Sequence, residues 1–238
     1  MLEFVTFSST SVVLFVTTAL YLKLFSAEEG GIALYTVPAV ITFTAGIAYA
    51  IMSLSTLGYI GDVVLEARYL DWLVTTPLIV YTLATIAGTD EATRAKAMAA
   101  DALMILFGYA ASVLPSPGKW IGFLLSSVAF GVLIYYLVTA LSEAAGEQPP
   151  AVETMFISLR DLTVFLWVVF PLLWLLSPFG LDLLRAADHE FLLAFMDITA
   201  KGGFNLIIAL RTRAIRTALG AEYLGSLSAD GTPRGETA

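Results

Sequence analysis

The chain has 238 residues, 58% of them hydrophobic and only 13% charged, with a mean hydropathy of +0.85. A soluble domain of this length cannot keep so much apolar surface out of water, so the composition identifies a polytopic membrane protein. A formal charge of −8 argues against nucleic acid as a partner, and the absence of cysteine excludes disulfides, thiolate metal sites and cysteine nucleophiles.

A helix needs about 20 apolar residues to cross a bilayer. Seven such stretches are expected, at about 4–25, 32–59, 66–88, 92–113, 119–143, 152–176 and 188–213. The fold expected is therefore all-α: one seven-helix transmembrane bundle over 1–219. A tail follows at 220–238, whose Gly, Ser, Asp, Thr and Pro content predicts cytoplasmic disorder. The first apolar run begins almost at Met1 and is long enough to span, so it reads as a true first helix and not as a cleaved leader. Turn formers separate the spans, at Glu28-Glu29-Gly30-Gly31, Gly61-Asp62, Gly88-Thr89-Asp90-Glu91, Pro115-Ser116-Pro117-Gly118, Gly146 to Pro150, and around Pro178 and Gly180. Lys23, Arg94, Lys96, Arg160, Arg211, Arg213 and Arg216 fall on one side of the bundle, against Lys119, Arg185 and Arg68 on the other. The positive-inside rule then predicts a multi-pass protein of the cell membrane, its N-terminus extracellular and its C-terminus cytoplasmic.

Charge enters the third span at Arg68 and Asp71. With Thr75 they share a helix face, which predicts an Asp71 carboxylate flanked by the guanidinium on the outer side and the hydroxyl on the inner. The alternative is Arg68 snorkelling to the interface with Asp71 as its surface partner. Thr75 and Thr76 are expected to satisfy the carbonyl that Pro77 leaves unpaired. In the fourth span Asp101 stands alone among Ala, Leu and Met and reads as a packed structural carboxyl. Aromatic stripes follow in the fifth span (Trp120, Phe123, Phe130, with Ser126) and the sixth (Trp167, Phe170, Trp174, with Pro171 as a point of kinking). Such stripes are core, or the two walls of a site for an elongated apolar ligand.

In the seventh span Asp197 and Lys201 are four residues apart, on one face of a helix. A lysine at bilayer depth costs a few kcal/mol or more, so the pair is either a structural ion pair or a functional site. A buried lysine is the side chain that forms Schiff bases with carbonyl ligands. The resulting cation requires anionic partners, and Asp71 and Asp197 are available.

Three motifs together, Ala67-Arg68-Tyr69-Leu70-Asp71-Trp72-Leu73-Val74-Thr75-Thr76-Pro77, Leu166-Trp167 with Pro171 and Trp174, and Asp197 with Lys201 and Phe204, resemble those of the microbial rhodopsins, the seven-helix retinal proteins. The resemblance covers about residues 40–213 and falls in the haloarchaeal-type branch, between bacteriorhodopsin-like proton pumps and sensory rhodopsin II. It implies all-trans retinal held covalently by Lys201, with Asp71 and Asp197 as counterions, Asp71 as the primary proton acceptor, Thr75 beside it and Arg68 as the gating arginine. It further implies a pocket of Tyr49, Trp72, Thr75, Thr76, Ile79, Met104, Gly108, Phe123, Ser126, Phe130, Trp167, Phe170, Pro171, Trp174 and Ala200.

Chloride-pumping relatives carry a neutral residue at the position of Asp71, which disfavours a halide pump, and a sodium-pump pattern is missing. Thr82 falls where bacteriorhodopsin-like pumps carry a carboxylic proton donor, so reprotonation is expected to be slow. Phe170, Ala200 and Phe195 occupy positions where sensory rhodopsin II has polar groups that serve its transducer. Phe179 and His189 replace the pumps' extracellular release carboxylates, with Asp182, Asp188 and Glu190 nearby. His189, the only histidine, reads as an ordinary loop-edge residue. The function expected is a light-driven outward proton pump, not an enzyme. The alternatives are a light sensor signalling through a membrane transducer and a retinal-free seven-helix transporter or receptor. The partners implied are the lipid bilayer, further copies of the chain and, for a sensor, the transducer.

Overall fold

The computed structural model describes residues 1–24 and 32–219; the Glu28 to Gly31 turn and the tail expected at 220–238 lie outside them. Among the described residues seven helical spans are long and apolar enough to cross a membrane. Helix α1 runs Leu2–Leu24, and α2 (Val37–Thr56) is entered through a π-helical turn at Ile32–Thr36. Then come α3 (Val64–Ala87) and α4 (Glu91–Val113). The fifth span, expected as one helix, breaks at Thr139 (φ −113°, ψ −94°) into α5 (Gly118–Val138) and α6 (Ala140–Gly146). Helix α7 spans Pro150–Leu176 without interruption at Pro171. The last span is composite: α8 (Ala186–Asp197), a π-helical turn at Ile198–Gly202, and α9 (Gly203–Leu219).

Local chemistry sets several of these boundaries. Pro38 lies in the first turn of α2 and has no N–H for the carbonyl of Leu34, and the Tyr21 hydroxyl of α1 donates to that carbonyl instead. Helix α3 stops at Gly88, left-handed at φ 73°, whose N–H closes onto the carbonyls of Ala84 and Thr85. Helix α4 starts at Asp90, whose side chain accepts from the Thr93 N–H at 3.0 Å. Hydrogen bonds from Thr93 hold that carboxyl below the usual carboxylate range. The carbonyl left by Pro77 belongs to Leu73, and the neighbouring threonines do not serve it. The hydroxyls of Thr75 and Thr76 reach the carbonyls of Asp71 and Trp72, each at 2.8 Å, because a threonine hydroxyl in a helix returns to the residue four before it.

Consecutive helices pack side by side from α1 to α5, and the ring closes through α7, α9 and the contact of α8 with α1. At Gly122 a Cβ would come within 2.8 Å of the Ala111 backbone nitrogen, so the α4–α5 approach is set by that glycine. Leu124, Phe165, Phe191, Phe195 and Leu206 are exposed on the outside, whereas Arg68, Asp71, Asp101, His189, Asp197 and Lys201 are buried. An apolar exterior around a charged interior is the pattern of a chain whose surroundings are lipid. The protein is a multi-pass membrane protein.

Candidate functional site

Helix α3 and the last span meet at the centre of the bundle. The Lys201 ammonium donates to Asp71 Oδ2 at 2.5 Å and lies 3.4 Å from Asp197 Oδ1. All three residues are at most 2% exposed. At an effective dielectric of about 20, unit charges at those separations attract by about 7 and 5 kcal/mol. Desolvation costs several kcal/mol per ion, so the lysine depends on its carboxylates to stay charged. Asp197 is fixed by two neutral donors, the Tyr49 hydroxyl at 2.7 Å and Trp72 Nε1 at 3.1 Å. Asp71 keeps one oxygen, Oδ1, without a hydrogen-bond partner. Lys201 sits in the π-helical turn, a wider coil than the α-helical spacing from Asp197 had suggested.

Arg68 does not flank Asp71 as its spacing predicted. Its guanidinium turns toward the face that holds the N-terminus and pairs with Glu190. The arginine is buried and its partner nearly so. His189 is no loop-edge residue: it is 4% exposed within α8, its Nδ1 3.6 Å from Glu190 Oε1. Glu190 is the functional candidate that sequence reasoning named only as a neighbour. The available signal was its position seven residues before Asp197, two α-helical turns away and so on the same buried face. Asp101 also gains a partner invisible along its own helix, since the Thr76 hydroxyl on α3 donates to its Oδ2 at 2.8 Å.

A cavity of about 400 Å³ begins at Lys201, Asp197 and Ala200 and continues past Arg68 and Glu190 to Asp62. Trp72, Thr76 and Ile79 of α3 line it, with Met104 and Gly108 of α4, Phe123, Ser126 and Phe130 of α5, and Trp167, Phe170, Pro171 and Trp174 of α7. Trp72 meets Phe170 edge-on at 5.3 Å, and Phe123 stacks on Trp174 at 4.7 Å. At Gly108 a Cβ would lie in ordinary van der Waals contact with the Tyr69 ring, at 3.4 Å. Tyr49 and Thr75, placed in the pocket by the resemblance, do not line it. Tyr49 stands behind Asp197, and Thr75 bonds to the Asp71 backbone. Tyr69 and Ser112 line it as well, their hydroxyls 2.8 Å apart, with Trp174 Nε1 donating to Ser112 at 2.9 Å. Neither was foreseen, because an isolated Tyr or Ser in an apolar span carries no signal of direction.

The family model of bacteriorhodopsin-like proteins matches residues 2–215. The chain belongs to that family. Among the relatives of this microbial rhodopsin, Sensory rhodopsin III of Haloarcula marismortui is 37% identical over 85% of this chain and 89% of its own. Archaerhodopsin-1 of Halorubrum ezzemoulense is 37% identical over 63% of this chain and 57% of its own. The crystal structure of thermophilic rhodopsin from Rubrobacter xylanophilus superposes with a TM-score of 0.84 at 30% identity, covering 94% of this chain and 99% of that one.

The cofactor of this family is retinal, bound as a Schiff base of a lysine. The residues present fit such a group: one buried lysine amine, two carboxylates to balance a cation, and a cavity reaching the amine between aromatic side chains of α3, α5 and α7. The family comprises light-driven pumps and photoreceptors, and this rhodopsin is one of them.

Proposed function

We propose that this protein is a light-driven outward proton pump whose reprotonation step is slow. Retinal on Lys201, between the α3 and α7 aromatic walls, would supply light absorption, a change of shape on illumination, and a cationic nitrogen that can lose and regain a proton. The chain's own residues do the rest. Asp71 Oδ2, 2.5 Å from the lysine nitrogen, is the acceptor for a departing proton, and its unpartnered Oδ1 leaves room for that proton to be held. Asp197, tied by Tyr49 and Trp72, stays in place as the fixed negative charge. Arg68 and Glu190 lie between this pair and the N-terminal face, which the positive-inside rule makes extracellular. On the other side Thr82 is a poor proton donor, because a hydroxyl holds its proton far above neutral pH.

The observation that carries the reading is the Asp71 carboxylate against the lysine, with the cavity leading outward past Arg68. The 37% identity to a sensory rhodopsin favours a second reading, a photosensor working through a transducer in the membrane. Against it, Ala200, next to the lysine in the chain, and Phe170 in the cavity wall carry no hydroxyl with which to pass a change on. Illumination of cells expressing the protein with all-trans retinal, in weakly buffered medium, should acidify the outside, and a protonophore should cancel the signal. A coloured protein that leaves the pH unchanged would overturn the pump and promote the sensor.

A further inference from the structure

Beyond Lys201, toward the face opposite the N-terminus, one side of the last span is buried throughout: Lys201, Asn205, Ile208 and Thr212 are each at most 1% exposed. Within α9 the spacings of three and four residues keep Asn205, Ile208 and Thr212 on one helix face, which follows the π-helical turn that carries Lys201. Two of the four end in oxygens without a hydrogen-bond partner, Asn205 Oδ1 and Thr212 Oγ1. The orientation of the Asn205 amide is fixed by its nitrogen, which donates to the Pro38 carbonyl at 3.0 Å and to Thr42 Oγ1 at 3.3 Å. Reversing the amide would set oxygen against the carbonyl of Pro38, so Oδ1 stays directed elsewhere. Buried acceptors left open in this way are the sites where proteins hold internal water.

The polar residues of α3 on the same side of the lysine differ. Thr82 and Thr85 are buried, but each hydroxyl hydrogen is spent on the carbonyl one turn back, of Leu78 at 2.9 Å and of Tyr81 at 2.8 Å. They form a closed ladder, whereas α9 offers open steps.

We propose that protons return to Lys201 along the inner face of α9, through water held at Asn205 Oδ1 and at Thr212 Oγ1, with Ile208 as the apolar gate between the two. The route deepens the pump reading and rests on Lys201 being the site of proton exchange. The balance of each transfer is simple: the water beside the lysine gives one proton to its nitrogen and takes one from the next water toward the face opposite the N-terminus, and the last takes its proton from the solvent there, so no charge is left behind. Asn205 lies about 6 Å along the axis from Lys201, within reach of one water, whereas Thr212 lies about 10 Å beyond Asn205, which one water cannot span. Ile208 fills that gap, so the chain of water is complete only when α9 shifts. That places the slow step of the cycle at Ile208.

The test is flash photolysis of the retinal-loaded protein, following the return of the dark-state absorption in Asn205→Leu, Thr212→Val and Thr82→Val. The first two should slow the return about tenfold or more, as loss of a proton relay does, and Thr82→Val by less than about twofold. Azide, a small diffusible acid, should restore the slowed variants. Thr212→Val only exchanges a hydroxyl for a methyl of the same shape, so it decides the matter if Asn205→Leu fails to fold. Unchanged recovery in Thr212→Val overturns the route, and so does equal or greater slowing in Thr82→Val. The pump reading fails separately: the same cells would then show the expected pattern of recovery rates with no acidification of the medium. A colourless unmodified protein would sink both.

Discussion

Glu190→Gln isolates what the arginine's partner contributes. The substitution keeps the shape and the hydrogen-bonding capacity of the side chain but removes its charge, leaving a guanidinium that is only 3% exposed without its paired carboxylate. Breaking a buried pair from one side costs about 3–5 kcal/mol. Glu190 keeps 16% of its side-chain surface, so the low end, about 3 kcal/mol, applies. For a chain of this size that is a fall of about 6–12 °C in the midpoint of thermal bleaching. Arg68→Gln should cost less, because the stranded Glu190 can reach solvent. The double variant should cost about 2 kcal/mol less than the sum of the two, the signature of a direct pair. The assay is the loss of visible absorption on heating in detergent, at one scan rate for all four proteins because membrane proteins often unfold irreversibly. Effects that add to within about 0.5 kcal/mol would refute the pair as a structural element.

Lys201→Ala should abolish the pigment, since Lys23, Lys96 and Lys119 all stand at helix ends; a variant that still binds retinal covalently would unseat the assignment. Asp71→Asn should move the absorption to longer wavelength and stop transport, because it removes the nearest negative charge and the acceptor together. Unchanged colour and unchanged transport would remove Asp71 from the mechanism. In the unmodified protein, recovery of the dark absorption should slow as pH rises, because the returning proton comes from water. Thr82→Asp, about 16 Å along α3 from Asp71, should make it faster and less dependent on pH. A recovery independent of pH in the parent protein would point to an internal donor.

What could be read from the sequence was what depends on neighbours along one helix. The seven apolar spans, the aromatic stripes of α5 and α7 and the closeness of Asp197 to Lys201 all follow from periodicity. The partners of Arg68 and Asp101 do not. Arg68 had a carboxylate three residues on and took one 122 residues away, because the buried guanidinium points toward the N-terminal face, where α8 places Glu190. Asp101 had no partner within a turn and found Thr76 across the α3–α4 contact. His189 looked like a loop residue because α8 begins at Ala186, earlier than the apolar run suggests. The break at Thr139 and both π-helical turns leave the pattern of apolar residues nearly intact, and so escaped notice.

The turn at Ile198–Gly202 has one more effect. A π-helical turn amounts to a single residue inserted into an α-helix, and one residue is worth about 100° of rotation. The half of the span that carries Glu190 and Asp197 is therefore out of phase with the half that carries Asn205 and Thr212, although each half is regular in itself. Deleting one residue from the turn would leave both halves helical and just as apolar. It would swing the outer carboxylates about a quarter-turn away from the inner polar face. The insertion is what lets one helix address two different polar neighbourhoods of the bundle, with the lysine at the seam between them.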